Sequence, residues 1–193
     1  MLKKSLQLIL FVFTLQIVTS CFVECGEPKT FEINYNSAVI IPCNTSGFYY
    51  KEVEDSVFKN TFGLIVGVES ELIQIAENHK LNLSIFKSAM ALSCVDDTYL
   101  FPDPIKNIEL FITDKLNDEE LNATELFKIK DYNQELVSLE DFFIIRDEWH
   151  DGFEFELTEY QNLPDSATFK VEVYLESGIV FTEETETVYF INI

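Results

Sequence analysis

The last third of the chain alternates apolar and polar side chains with a period of two residues, and this pattern constrains the fold most strongly. The apolar positions are Phe153, Phe155 and Leu157, and then Phe169, Val171, Val173 and Leu175. Charged or hydroxyl residues occupy most of the positions between them. Since successive side chains of a β-strand point to opposite faces, each stretch predicts a strand with one buried face and one solvated face.

The connections between these stretches predict antiparallel pairing. Glu176-Ser177-Gly178 joins the second stretch to residues 179–182, and residues 188–191 complete the sheet. Glycine in so short a connection is typical of a β-hairpin.

Earlier segments predict further strands by the same criteria. They are residues 30–35, 39–41 (ended by Pro42), 62–69, 72–76 (where a helix is the alternative), 84–94 and 105–113. Gly63 and Gly67 within the third of these indicate a bulge or a close approach of backbones.

Three segments lack the strand period. Acidic residues and prolines predict an exposed loop at 95–104, and residues 114–135 are predicted to form loop with a helical turn or two. Ser138 with Asp141 three residues later has the pattern of a helix N-cap, which predicts a short helix over 139–145.

Seven or eight strands with one or two short helices predict a mainly β protein: an antiparallel, immunoglobulin-like β-sandwich, preceded by a signal-peptide helix.

The N-terminus has the pattern of a bacterial lipoprotein signal. Lys3 and Lys4 precede an apolar run at 6–18, and Val18-Thr19-Ser20 precedes Cys21. We predict a signal peptide at 1–20, a tether at 21–29 and a single β-sandwich domain at 30–193. Ordinary secretory cleavage after Ser20 and a retained anchor are the alternatives, although the run is short for the ~20 residues of a membrane span.

This signal predicts a location and a membrane contact. The thiol of Cys21 would carry lipid, and two or three acyl chains anchor a protein stably where one does not. We expect a lipid-anchored protein of the cell envelope at the outer membrane, either on its periplasmic face or on the cell surface.

The charge of the chain excludes one class of partner. There are 34 acidic residues against 13 basic ones, and removal of the signal would take away two lysines and no acid. Nucleic acid binding needs a basic surface, so we predict no nucleic acid partner. A folded domain is nevertheless expected, because the chain contains 18 phenylalanines.

Three further cysteines allow one disulfide in an oxidising envelope compartment. The pairing among Cys25, Cys43 and Cys94 cannot be read from their spacing, and buried free thiols are the alternative. With only two histidines and no Cys-x-x-Cys pair, the sequence predicts no zinc site and no other cofactor.

The acidic segment around Trp149 is the strongest candidate for a polar site. Asp147, Glu148 and Asp151 could hold a calcium ion or flank a sugar, although the spacing is not that of a calcium-binding loop. An exposed acidic loop is the simpler interpretation. Asp96, Asp97 and Asp103 are a second, weaker calcium candidate.

Several features resemble an uncharacterised domain-of-unknown-function family of Bacteroidetes envelope lipoproteins. They are Cys21, Ala89-x-Ala91-x-x-Cys94, Pro104-x-x-x-Ile108, Leu126-Phe127 and the Gly178 hairpin. The resemblance implies an extracytoplasmic lipoprotein and supplies no activity, substrate or site.

These observations predict a non-enzymatic, membrane-anchored envelope lipoprotein that serves as an interaction or accessory module, with an envelope protein or a glycan as partner. No catalytic motif is present in the sequence. The alternatives are a glycan-acting hydrolase that uses a carboxylate pair and a calcium-stabilised binding module.

Overall fold

A computed structural model describes residues 28–75, 96–145 and 151–191. The chain forms two compact units, and each is described by itself. Of the described residues, 33–72, 101–145 and 151–191 belong to the larger unit, and 28–32, 73–75 and 96–100 belong to the smaller one. In the smaller unit, the strand Thr98–Leu100 runs parallel to residues 30–32, and the rings of Phe31 and Tyr99 stack at 5.7 Å.

Thirteen strands are present in the described residues. In chain order they are β1 (Thr30–Asn44), β2 (Lys51–Glu52), β3 (Ser56–Phe58), β4 (Phe62–Gln74), β5 (Thr98–Leu100), β6 (Ile105–Asp114), β7 (Glu119–Asn122), β8 (Phe127–Lys130), β9 (Leu136–Val137), β10 (Gly152–Leu157), β11 (Ser166–Leu175), β12 (Val180–Glu184) and β13 (Val188–Ile191). The helical elements of the described residues are α1 (Leu139–Ile145) and 3-10 helices at Lys59–Thr61 and Thr124–Leu126.

The strands form two sheets. The first has the order β2-β1-β4-β10-β8-β9. The second has the order β3-β13-β11-β6-β7, with β12 also paired to β11. These orders correspond to the strands of an immunoglobulin domain. In the first sheet, β1, β4, β10 and β8 take the places of strands A, B, E and D. In the second sheet, β7, β6 and β11 take the places of C′, C and F, and β12 and β13 both lie at the place of G. This order confirms the predicted immunoglobulin-like sandwich.

The core of the larger unit lies between the sheets. The ring of Phe62 in the first sheet lies 4.7 Å from that of Phe169 and 5.1 Å from that of Phe190, both in the second. All the apolar positions predicted from the alternating stretches are buried. The predicted inner faces of β10 and β11 are therefore confirmed.

The local predictions for the hairpin and the helix are also confirmed. Gly178 has φ of 90° in the turn after β11, a conformation that glycine adopts without strain. At the start of α1, the backbone N–H of Asp141 donates to Ser138 Oγ at 3.1 Å, and that hydroxyl donates to the Asp141 carboxylate at 2.6 Å.

Several boundaries differ from the prediction. The stretches at 30–35 and 39–41 belong to one strand, which continues past Pro42 to Asn44. The stretch at 62–69 and residues 72–74 of the next stretch belong to β4, which ends at Gln74. The loop predicted at 95–104 contains β5, and the loop predicted at 114–135 contains β7 and β8. Short strands such as these are specified by the partner strand more than by their own sequence. The strand predicted at 84–94 lies outside the described residues.

Candidate functional site

Five of the candidate site residues that the sequence singles out lie outside the described part of the chain. They are Cys21, Cys25, Cys94, Asp147 and Glu148. Lipidation of Cys21, a disulfide that uses Cys25 or Cys94, and an ion at the acidic segment therefore stay predictions.

Asp151 is the described member of the acidic candidate site. It is exposed just before β10, and its backbone carbonyl accepts a hydrogen bond of 2.7 Å from the N–H of Val68. A shallow depression beside it contains Glu69, whose carboxylate accepts a hydrogen bond of 2.6 Å from the Ser37 hydroxyl. Within residues 28–75, 96–145 and 151–191, no three His, Cys, Asp or Glu side chains are arranged to hold a metal.

Asp97 and Asp103, two members of the weaker calcium candidate, accept hydrogen bonds from backbone N–H groups. In the larger unit, Asp103 accepts hydrogen bonds from the N–H of Ser177 at 2.8 Å and from its hydroxyl at 2.6 Å. In the smaller unit, Asp97 accepts a hydrogen bond of 2.8 Å from the N–H of Lys29. Asp103 thus binds the turn after β11, and Asp97 binds the residue just before β1.

A buried thiol lies on the outer face of the first sheet. Cys43, near the end of β1, is fully buried and free, although its side chain is not part of the core between the sheets. Burial raises the pKa of this thiol to about 12, with smaller contributions in the same direction from Glu154 and Glu156. Cys43 is therefore a neutral thiol at physiological pH, and an unreactive one.

Tyr50, Glu156 and Lys130 form a polar cluster over Cys43, and this cluster fixes the position of the segment that follows β1. The Tyr50 hydroxyl donates to the Glu156 carboxylate at 2.5 Å, and Lys130 Nζ lies 3.0 Å from the same oxygen. Lys130 Nζ also lies 4.3 Å from the centre of the Tyr50 ring, a cation–π contact. Burial and the bond to Glu156 raise the pKa of the Tyr50 phenol, which therefore stays protonated as the donor.

This anchored segment presents two aromatic side chains to solvent. Phe48 is 91% exposed and Tyr49 is 76% exposed, and their rings form an edge-to-face pair at 4.8 Å. The N–H of Ser46 donates to the Asn44 side chain at 2.9 Å, which shapes the turn before them. No periodic pattern marks these residues in the sequence, because the turn is held by contacts with distant strands.

A second polar network covers the outer face of the other sheet. The Tyr174 hydroxyl donates to Glu172 at 2.5 Å and lies 3.4 Å from the Glu109 carboxylate. Lys170 Nζ lies 2.8 Å from a Glu120 oxygen and 3.1 Å from a Glu172 oxygen. These contacts link β6, β7 and β11 across the sheet.

The pKa shifts in this network keep Glu172 ionised and Tyr174 protonated at neutral pH. Hydrogen bonds from Tyr174 and then from Lys170 lower the pKa of Glu172, and the bond to Glu172 raises the pKa of the Tyr174 phenol. Glu109 and Glu172 both lie beside the Tyr174 phenol, and the lowered pKa of Glu172 keeps this carboxylate ionised as the acceptor.

Two concave regions lie along the edge of the sandwich in the larger unit. One has a volume of about 540 Å³ and is bounded by Leu121, Tyr160 and Asn162. The other, of about 630 Å³, lies between β6, β8 and α1, with Phe127, Leu139 and Phe143 among its lining residues. We call the second region the β6–β8 groove. Sequence reasoning missed it, because its residues come from three separate segments.

No helix in the described residues is long and apolar enough to cross a membrane. No protein-family model matches the chain, and no curated protein is significantly similar to it. Among solved structures, the chain is similar to the major pilin subunit of Bacillus cereus in its D312A variant form, BcpA*. The similarity has 10% identity and a TM-score of 0.25, and it covers 86% of this chain and 69% of the pilin chain. The sandwich assignment rests on the strand order.

Proposed function

We propose that this protein is a lipid-anchored component of a bacterial cell envelope whose β-sandwich is a non-enzymatic interaction module. The observation that carries the proposal is Cys21, directly after Val18-Thr19-Ser20 and an apolar run with a basic head. Small residues before a cysteine are what a lipoprotein signal requires, since the thiol becomes the site of acylation. The resemblance to Bacteroidetes envelope lipoproteins supports the outer membrane as the location.

The chemistry of the described polar groups supports a non-enzymatic role. Acid–base catalysis favours groups whose pKa is shifted toward the working pH. Here the pKa values of Cys43, Tyr50 and Tyr174 are raised away from neutrality, and that of Glu172 is lowered away from it. Their hydrogen bonds support a scaffold that presents surfaces to a partner.

Replacement of the acylated cysteine tests the anchor. In cells fed a fatty-acid probe, we expect the full chain to be labelled and to sediment with membranes, and Cys21→Ala to lose both properties because no thiol remains to accept lipid. Cys25→Ala is the matched control, four residues away, and should be labelled and sediment normally.

Absence of label on the unmodified chain would contradict the proposal. Equal labelling of Cys21→Ala and the unmodified chain would place the lipid elsewhere and would also contradict it.

A further inference from the structure

The β1–β2 turn, residues 45–50, is fixed at both ends. At its start, the N–H of Thr45 donates to the carbonyl of Thr61 at 2.8 Å. At its end, β2 pairs with the last residues of β1, and the Tyr50 hydroxyl is bound to Glu156 of β10. The turn therefore has a defined conformation before a partner binds, which lowers the entropic cost of binding.

Two aromatic rings at the tip of this turn are open to solvent. Phe48 and Tyr49 are the most exposed aromatic side chains of the described residues, and their edge-to-face contact leaves ring faces uncovered. The cation–π contacts within the described residues are made by Lys130 and Lys170, and both are to other rings. The faces of the Phe48 and Tyr49 rings are therefore available to a cation from another molecule.

Carboxylates follow the aromatic pair closely. Glu52, Glu54 and Asp55 are exposed and line one shallow depression. No ion pair in the described part of the chain involves them, and Lys51 is the one basic residue among residues 48–56. Since a residue spans at most about 3.6 Å, the Cα atom of Glu52 lies within about 11 Å of that of Tyr49. One short segment of a partner can therefore contact both the rings and the carboxylates.

This combination of rings and carboxylates favours arginine as the group that binds. A guanidinium stacks on an aromatic face and pairs with carboxylates through parallel hydrogen bonds. A bilayer surface also accepts aromatic rings, but its anionic head groups would be repelled by the three carboxylates. The net charge of −21 adds a long-range attraction for a basic partner. A protein segment that contains arginine is therefore favoured over a membrane.

We propose that the β1–β2 turn binds a basic segment of a partner protein. An arginine of this segment stacks on the Phe48–Tyr49 pair, and a second basic residue pairs with the carboxylates of Glu52, Glu54 and Asp55. This inference rests on the proposed interaction function and deepens it by assigning a surface and the chemistry of the partner.

The test uses the purified full-length chain in mild detergent and fluorescently labelled seven-residue peptides. Each peptide has two arginines separated by one to four residues drawn from Gly, Ser and Thr, and matched sets have Lys or Glu in place of Arg. We expect the Arg set to bind and the Glu set not to bind. Replacement of both arginines of the best peptide by lysine should weaken binding about threefold or more, because an ammonium group lacks a flat face for stacking.

Aromatic variants locate the stacking site. The double variant Phe48→Ala, Tyr49→Ala should weaken binding of the best Arg peptide about tenfold or more, since aromatic anchors provide much of the affinity of an interface. The control is Leu116→Ala, Tyr132→Ala, which removes two exposed apolar side chains from other turns and should leave the affinity within about twofold. Thermal midpoints should match, because all four side chains are exposed.

Charge variants locate the paired carboxylates. The triple variant Glu52→Gln, Glu54→Gln, Asp55→Asn should weaken the best Arg peptide about threefold or more at 0.05 M salt, and the difference should shrink as salt screens the attraction. The control changes the three glutamates of residues 183–186 to glutamine. They are exposed and equally close in sequence, so the net charge of the chain changes by the same amount in both variants. This control should stay within about twofold.

Each of four results would overturn the proposal: no binding by any Arg peptide, equal binding by the Glu set, equal affinity of the Arg and Lys peptides, or equal weakening by a variant and its control. Sedimentation of the Cys21→Ala chain with phosphatidylcholine vesicles that is lost in the aromatic double variant would identify a membrane as the occupant and would also overturn it. Failure here leaves the anchor intact, since peptide binding does not depend on lipid at Cys21, and failure of Cys21 labelling leaves the peptide result intact.

Discussion

Cys43, one of three candidates for a disulfide, is a buried and neutral thiol in the described structure. The positions of Gly63 and Glu156 explain why its sulfur is buried and why its ionisation is unfavourable. A Cβ on Gly63 would lie 3.4 Å from the Cys43 sulfur, and Glu156 pairs with Gly63 across β4 and β10. The sulfur therefore lies against the sheet beneath Tyr50, where a thiolate would lose its hydration and face two carboxylates.

We predict that Cys43 resists alkylation in the native protein. A pKa of about 12, against an ordinary value near 9.0, means roughly 1000-fold less thiolate at neutral pH. Peptide mass spectrometry after brief alkylation should find Cys43 unmodified at pH 8 and modified in strong denaturant. Rapid native labelling would contradict the burial described here.

The same shift predicts how stability changes in alkaline solution. Because the pKa is raised on folding, the contribution of this thiol is fully present below about pH 9 and is lost as the pH rises toward about 12. The free energy of unfolding should fall over this range, and less steeply in Cys43→Ala. Parallel curves for the two chains would show that Cys43 does not titrate as described.

At the scale of elements, β1, β4 and β10 approach each other closely at one glycine. A Cβ on Gly63 would overlap the Phe155 carbonyl oxygen and would come within 2.7 Å of Thr45 Cγ2. Gly67, four residues along the same strand, has its nearest such neighbour at 3.9 Å. The close approach predicted for this strand is therefore confirmed at Gly63 and is wrong at Gly67, where an added methyl group would make only ordinary contact.

We predict that Gly63→Ala is the more damaging of two matched substitutions. The backbone of β10 must move to admit the methyl group, and overpacking of this kind costs about 1–3 kcal/mol or more. Gly67→Ala should stay within about 1 kcal/mol of the unmodified chain. Urea denaturation of both variants measures the difference. Equal midpoints would mean that the strands are further apart than described.

At the scale of the whole molecule, repulsion between like charges opposes the compact state. The formal net charge is −21, and the ion pairs in the described residues involve only three lysines, Lys59, Lys130 and Lys170. These three lysines offset only a small part of this excess of negative charge, so we expect the net repulsion to dominate.

Moderate salt should therefore stabilise the protein. The Debye length falls from about 30 Å at 0.01 M to about 8 Å at 0.15 M, which screens the repulsion between distant carboxylates. We expect the thermal midpoint to rise over this range. Sucrose at equal osmolality is the control and should give a smaller rise. A midpoint that falls with salt would show that the ion pairs outweigh the repulsion.

Local patterns were enough to predict β10, β11, the hairpin at Gly178 and the helix cap at Ser138. Each depends on interactions between residues close in the chain: alternation for the strands, φ of 90° for the turn, and a bond from Asp141 to Ser138 for the cap. The inner face of β10 and β11 followed from alternation alone, because a shift by one residue would expose every apolar side chain.

Tertiary structure decided the rest. β7 lacks a strand pattern of its own and forms because β6 provides a partner. β8 alternates over only four residues, Phe127 to Lys130, and pairs with β10. The Tyr50–Glu156 bond joins residues 106 apart in the chain, and the β6–β8 groove brings together segments around residues 106, 127 and 139. Contacts at such separations leave no periodic signal in the sequence, since only the packed sheets bring the residues together.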